Sequence, residues 1–191
     1  MIVESVFTTR DAGGSLNFSP MGVVWGEEEI VVKPYKETTT YGNLLETGQG
    51  VVNITDDVRC FARGAVGTPT FPWFPAREVE GAVLEAACSW RELEVVDVDD
   101  SGQRARLVAR VVHREVRREF VGFNRARAAV IEAAILATRT EFLPMEEIRG
   151  DFDRLQTIVD KTGGDAEHEA FDLLADHVEA EAERLQREGA G

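Results

Sequence analysis

The sequence predicts an α+β fold that is mainly β: an antiparallel sheet of six or more strands, closed as a barrel, followed by three helices. Two observations predict it. Up to about residue 120, runs rich in β-branched and aromatic residues alternate with Gly- and Asp-rich turns. From Asn124 onward, apolar residues recur at helical spacing. We therefore expect a barrel domain over 1–123, a helical subdomain over 124–188 packed on the barrel, and a tail over 189–191.

Four strands are expected in the first 55 residues, because each candidate run is bounded by turn residues. The predicted strands span 2–9, 16–25, 29–32 and 50–55. Between the last two, we expect a short helix capped by Thr40 and stopped by Gly48. Asp56 and Asp57 have the chemistry of an N-cap, which predicts another short helix over 58–65.

A long hairpin is expected next, with strands over 83–98 and 104–119 joined by a turn at 99–102. Alternation along its second strand predicts one face on the core and one in water. The preceding loop, 67–75, holds three prolines and three large aromatic residues. These rings either fill gaps in the core or cover a planar ligand.

The helix predicted over 124–138 is apolar around most of its circumference, so we expect it to be buried against the barrel or a partner subunit. Pro144 opens a second helix, and Asp165 caps a third after Gly163-Gly164. The third helix has an acidic face and one apolar stripe, formed by Phe171, Leu174, Val178, Ala182 and Leu185.

The chain is strongly acidic, since Asp and Glu outnumber Lys and Arg by 35 to 21 and the formal net charge is −14. This charge argues against a nucleic-acid partner, whose phosphates would be repelled. Only three of the 21 basic residues are lysines. Acid enrichment with scarce lysine favours a halophilic source, where salt screens the repulsion between carboxylates.

Cysteine usage and hydropathy indicate the compartment. Cys60 and Cys88 are the only cysteines and form no CxxC pair, which favours a reducing interior. No basic, apolar leader begins the chain, and no apolar run is long enough to span a membrane. We therefore expect a cytoplasmic protein with no membrane partner.

The stretch 33–57 is the best candidate for an anion site in this acidic chain. Two of the three lysines, Lys33 and Lys36, directly precede a run of threonines before a predicted helix. A lysine, hydroxyl groups and the N–H groups of a helix start together suit a phosphate. A solvated loop with a threonine N-cap explains the same residues equally well.

Other catalytic signatures are missing from the sequence, which has no nucleophile elbow, Walker loop, GxGxxG or zinc pattern. His113 is expected to be a half-buried strand residue, and His168 and His177 are too far apart on one helix to share a ligand. If the protein is an enzyme, a cofactor carries the chemistry.

Several motifs point to one family: Asn17-Phe-Ser-Pro-Met-Gly22, Lys33-Pro-Tyr-Lys-Glu-Thr-Thr-Thr-Tyr-Gly-Asn-Leu44, Thr47-Gly-Gln-Gly-Val-Val-Asn-Ile-Thr-Asp-Asp57, and the stretches 122–139 and 161–164. Together they resemble the DUF447 family of the FMN-binding split-barrel, or flavin reductase-like, superfamily. The resemblance covers nearly the whole chain. It implies a six-stranded antiparallel split barrel that forms a homodimer and binds FMN at the subunit interface.

The resemblance also implies a role for particular residues. A strand like 19–22 lies beside the flavin ring, a loop like 36–40 holds the phosphate, and a strand like 52–55 faces the ring edge. The residues implied are Ser19, Pro20, Met21 and Gly22 beside the ring, Lys36, Thr38, Thr39 and Thr40 at the phosphate, and Asn53 and Thr55 at the ring or ribityl chain.

Three functions follow as hypotheses. The first is an FMN-dependent, flavin reductase-like oxidoreductase that takes electrons from NADH or NADPH. The second is a flavin-binding carrier or sensor without turnover of its own. The third is an acidic structural protein that binds no cofactor.

Overall fold

The structure is a computed structural model that describes residues 1–189. Those residues form strands β1 (Ile2–Arg10), β2 (Leu16–Val24), β3 (Glu29–Val32), β4 (Gln49–Ile54), β5 (Trp73–Pro75), β6 (Ala82–Leu84), β7 (Ser89–Asp99) and β8 (Arg106–Val116). The helices are α1 (Thr39–Thr47), α2 (Arg59–Val66), α3 (Arg125–Ala137), α4 (Met145–Thr162) and α5 (Asp165–Gly189). Of the predicted tail, residues 190 and 191 lie outside the described residues.

Six strands close into an antiparallel barrel in the order β1-β2-β3-β8-β7-β4, which confirms the predicted fold. The barrel interior is filled by alternate residues of its strands, including Phe7, Val52 and Leu93. Gly50 is required at one point of this interior, because a Cβ there would lie 2.6 Å from the Cζ atom of Phe7. The alternation of buried and exposed residues along the strands therefore determines which side chains fill the barrel interior.

The predicted strand over 83–98 is wrong in its first part. A turn interrupts it, where the Ala87 N–H donates to the Leu84 carbonyl, and β7 begins only after the turn. The separated piece, β6, pairs with β5 in a two-stranded sheet of its own. The Thr8 hydroxyl of β1 donates to the Ala82 carbonyl, so this hairpin lies against the barrel. Pairing with β5 and the hydrogen bond from Thr8, which is 74 residues away, separate β6 from β7 despite the local strand propensity.

The chain divides into two compact units. The first contains Met1–Asp56 and Pro69–Phe120, and the second contains Asp57–Thr68 and the chain from Val121 onward. Helix α2 thus belongs to the same unit as α3, α4 and α5, although it lies within the segment assigned to the barrel from sequence. The Asp57 carboxylate accepts a hydrogen bond from the Arg59 N–H at the start of α2, at 3.1 Å.

The core of the second unit explains the apolar character of α3. Residues of α3 such as Ala129, Val130 and Ala133 are buried together with Ile148 of α4 and Phe171 of α5. The apolar face of α3 is therefore covered by helices of its own unit, and its hydrophobicity does not call for a partner subunit. Asn124 caps α3 by accepting from the Arg127 N–H, and α4 and α5 begin where Pro144 and Asp165 predict.

A buried ion pair makes the second unit sensitive to acid. Glu167, which is 7% exposed, accepts hydrogen bonds from the Arg127 guanidinium at 3.0 Å and from the Gly164 N–H at 2.9 Å. Burial alone would raise the pKa of Glu167, but these donors outweigh it and lower the pKa. A depressed carboxylate pKa stabilises the folded state above the ordinary Glu value of about 4.3 and loses this contribution as the pH falls below it.

We expect the stability to fall between about pH 5 and pH 3, and Glu167→Gln to flatten that dependence while costing about 1.5–3 kcal/mol at pH 7. Urea unfolding followed by the helical circular dichroism signal measures both effects. Glu183→Gln, which changes an exposed residue on α5, is the control. Equal pH dependence in wild type and Glu167→Gln would contradict this account.

Candidate functional site

Strand β1 lies between two of the predicted flavin segments. Val6 of β1 stands opposite Pro20 of β2 and also opposite Asn53 of β4. Because neighbouring strands lie about 5 Å apart, the motif on β2 and the motif on β4 flank the same residue across the sheet. The barrel therefore brings together segments that are more than 30 residues apart in the chain.

One edge of β2 is left open. Strand β2 pairs with β1 along its whole length but with β3 only through Val24 and Val31. Among the described residues, no strand pairs with the other edge of β2 from Leu16 to Val23. Ser19–Gly22 lie on this stretch and are partly exposed. An open edge offers a row of N–H and C=O groups, which suits a planar heterocycle with donors and acceptors on its rim.

A hydrogen bond joins the start of β2 to the start of α1. The Asn17 side-chain amide donates to the Thr40 hydroxyl at 3.0 Å, and the Asn43 amide donates to the Thr9 hydroxyl at 3.0 Å. These polar contacts hold α1 against the start of β2 and the end of β1. Asn17 was part of the motif in the sequence but had no role assigned to it, since its partner lies 23 residues away.

The sequence predicted Thr40 as the N-cap of α1, but in the structure the N-cap is Thr38. The Thr38 hydroxyl accepts from the Tyr41 N–H at 3.3 Å and donates to the Tyr35 carbonyl at 2.7 Å. The Thr40 side chain is only 3% exposed and faces Asn17, so it positions α1 rather than facing a ligand. Gly48 ends the helix with a positive φ of 67°, as predicted.

The start of α1 presents groups suited to an anion. Thr39 and Lys36 are exposed. The backbone N–H groups of Thr39 and Thr40 lie in the first turn, where no carbonyl within the helix can accept them. Lys33 and Arg104 are also exposed on this loop and its neighbour. Lys36 and Thr39 are thus exposed at the start of a helix capped by Thr38, and their contact with a phosphate stays a prediction.

The side chains of Asn53 and Thr55 serve the fold. Asn53 is completely buried, donates to the Val6 carbonyl at 3.0 Å and accepts from the Leu84 N–H at 2.9 Å. The Thr55 hydroxyl donates to the Ala86 carbonyl at 2.8 Å. Both side chains thus have hydrogen-bond partners within the protein, and their assignment to the flavin ring or ribityl chain stays a prediction.

The aromatic loop divides its rings between packing and exposure. Phe71 is 8% exposed and packs edge-to-face on Phe18 of β2, with ring centroids 5.6 Å apart. Phe74 packs similarly on Trp90, at 5.5 Å. Trp73 is 45% exposed. Two rings thus fill gaps in the packing, and only Trp73 is left to meet a ligand or partner.

Other kinds of site find little support within residues 1–189. No group of three or more His, Cys, Asp or Glu side chains there is arranged to hold a metal ion. None of the helices in that range is long and apolar enough to cross a membrane. His113 lies on β8, is partly buried as expected, and has a Glu115 oxygen 3.3 Å from its Nε2 atom.

Comparison with known families decides the relationship. The family model described as "Protein of unknown function (DUF447) N-terminal domain" matches residues 3–118, and the DUF447 C-terminal model matches residues 124–176. The chain belongs to the DUF447 family. The first match ends just after β8 and the second begins just before α3, so the chain carries both parts of the family architecture.

Solved structures show the same fold in flavin-binding proteins. This chain is similar to an FMN-bound protein of the family from Methanosarcina mazei, with 26% identity, a TM-score of 0.77, and coverage of 92% of this chain and 94% of that one. An FMN-binding protein from Thermus thermophilus matches at 21% identity and TM-score 0.51, covering 63% and 75% of the two chains. The NADH:FAD oxidoreductase SgcE6 of Streptomyces globisporus matches at 10% identity and a TM-score of 0.53, covering 61% of this chain and 71% of that one. This chain therefore has the split-barrel fold shared with flavin reductases and oxidoreductases.

Proposed function

We propose that this protein binds FMN, with the phosphate at the start of α1 and the flavin ring along the open edge of β2. The hydrogen bond from Asn17 to Thr40 carries this proposal, because it joins the first turn of α1 to the strand that carries Ser19–Gly22. One surface supplies cationic and N–H groups for a phosphate, and the other supplies a free row of backbone donors and acceptors. The FMN-bound relative from Methanosarcina mazei, similar over nearly its whole length, supports the same ligand.

Each residue near the site has a defined part in this arrangement. Lys36 and the Thr39 hydroxyl would bind the phosphate together with the N–H groups of the first turn. Ser19 and Pro20 to Gly22 would line the ring. Thr38, as the N-cap, holds the first turn in the conformation that directs its N–H groups outward.

We further propose that the protein is a flavin reductase-like oxidoreductase that takes electrons from NADH or NADPH. Bound FMN would supply the hydride chemistry. The protein would bind the phosphate, orient the ring on β2 and limit access of water through its aromatic loop. Phe71 packs on Phe18 of β2, and this contact supports the proposal that the aromatic loop covers the ring beside β2.

The visible spectrum of freshly purified protein tests the binding proposal. We expect absorption near that of FMN, or its appearance with a stoichiometry of one when FMN is added to stripped protein. Riboflavin, which lacks the phosphate, is expected to bind at least tenfold more weakly, because it forgoes the charge-assisted contacts worth about 1.5–3 kcal/mol each. Protein that remains colourless and binds neither compound would contradict the proposal and favour a structural role.

Anaerobic addition of NADH or NADPH then separates a reductase from a carrier or sensor. Rapid and repeated bleaching of the flavin colour, renewed by air, is the result expected of a reductase. Flavin that stays oxidised under both donors would contradict turnover and leave a binding protein. The homodimer remains part of the proposal, and light scattering with and without FMN measures it.

A further inference from the structure

The hairpin tip, defined as residues 99–105 between β7 and β8, is fastened to the loop that precedes α1. The Ala105 N–H donates to the Pro34 carbonyl at 3.2 Å, and Arg104 Nε donates to the Lys33 carbonyl at 2.9 Å. The Arg104 guanidinium also lies 4.5 Å from the centre of the Tyr35 ring. These contacts hold the hairpin tip against the loop of the proposed phosphate site.

The acidic end of the hairpin tip lies at the first turn of α1. The Lys36 ammonium group donates to the Asp100 carbonyl. Burial, and then the neighbouring Asp100 carboxylate, raise the pKa of Tyr41 on α1. Asp99 shapes the turn by accepting from the Ser101 N–H at 3.0 Å. The Asp100 backbone is thus held at the one lysine that would bind the phosphate, and the Asp100 carboxylate lies near Tyr41.

We propose that the hairpin tip makes this site selective for flavin mononucleotide over flavin adenine dinucleotide. The inference rests on the proposed FMN site. The ring lies toward β2, so a ligand tail enters the first turn of α1 from the side of Asn17. The hairpin tip lies on Lys36 and Tyr41, where a longer tail would continue. A single terminal phosphate ends at Lys36, whereas a dinucleotide must pass Asp100 with a second phosphate and an adenosine.

Repulsion supplies the selectivity in this arrangement. A second phosphate placed beside Asp100 meets a like charge within a few ångströms, and at this exposed position the repulsion is modest but unfavourable. The backbone contacts of Ala105 and Arg104 prevent the hairpin tip from moving aside without breaking hydrogen bonds. Discrimination by an unfavourable contact with the wrong ligand is a common route to specificity.

Calorimetric titration of the stripped full-length protein with FMN and with FAD tests this inference. Wild type is expected to bind FMN at least about tenfold more tightly than FAD. Asp100→Asn removes the charge of the side chain, and Asp100→Ala removes both its charge and its volume. Each variant should lower the ratio of FMN affinity to FAD affinity about three- to tenfold, by raising the affinity for FAD alone. Asp172→Asn, an exposed carboxylate on α5, is the matched control and should leave the ratio unchanged.

The outcomes separate this inference from the proposed function. If only Asp100→Ala lowers the ratio of FMN affinity to FAD affinity, the volume of the Asp100 side chain excludes FAD. If both variants lower this ratio, its charge excludes FAD. Tight FMN binding with equal FAD affinity in wild type, or a ratio that neither variant changes, overturns the role of the hairpin tip and leaves the FMN site standing. Binding of neither flavin overturns the FMN proposal itself and this inference with it.

Discussion

Replacing Glu92 by glutamine is expected to lower the free energy of unfolding by about 3–5 kcal/mol, the largest effect of any single substitution considered. Glu92 is completely buried on β7. Its Oε1 accepts from the Arg77 N–H at 2.9 Å and from the Trp90 indole at 3.2 Å. Its Oε2 accepts from the N–H groups of Glu78 and Val79 at 2.6 and 3.2 Å.

Glutamine has nearly the same shape but cannot replace this carboxylate. Either orientation of its amide would point an NH2 group at an N–H donor, leaving buried donors unsatisfied. Because the segment 77–79 leads into β6, loss of its hydrogen bonds to Glu92 would loosen the β5–β6 hairpin on the barrel. Equilibrium unfolding in urea measures the change.

The matched control is Glu94→Gln, two residues further along the same strand. Glu94 is only partly buried and forms an ion pair with Arg110 at 2.9 Å, so its substitution should cost less than about 1 kcal/mol. If Glu92→Gln proved as mild as Glu94→Gln, the carboxylate would not be holding the loop in the way described.

Replacing Lys36 by glutamine is expected to weaken FMN binding about ten- to a hundredfold, as loss of a charge-assisted contact of about 1.5–3 kcal/mol predicts. Lys36 is exposed, so the substitution should leave the stability nearly unchanged. It is a cleaner probe than the threonines, because Thr38 caps α1 and Thr40 is buried against Asn17. Calorimetric titration with FMN measures the effect.

Riboflavin provides the internal control for Lys36→Gln. Since riboflavin has no phosphate, its affinity should be the same in wild type and variant. Lys161→Gln, which makes the same change at an exposed position of α4, should alter neither affinity. A parallel loss of FMN and riboflavin affinity would place Lys36 at the ring or in the fold, and an unchanged FMN affinity would remove it from the phosphate site.

Local chemistry made much of this fold predictable. The strand Glu29–Val32 and the helix starts at Asn124, Pro144 and Asp165 were located correctly, because turns and caps depend on residues only a few positions apart. The predicted strand over 83–98 began too early, because strand pairing depends on contacts that local sequence does not show. Its composition favours strand throughout, and nothing in the neighbouring residues shows that β6 pairs with β5 instead of continuing into β7.

By itself, the sequence determined the order of barrel and helices, the helix stop at Gly48 and the stretch that carries the candidate phosphate loop. Only the tertiary structure decided that Asn53 is turned into the fold, that Asn17 joins β2 to α1 and that Asp100 lies at Lys36. The physical reason is distance along the chain. The hydrogen-bond partners of Asn53 and of Lys36 lie as far as 47 and 64 residues away, and periodicity and capping rules extend over only a few residues.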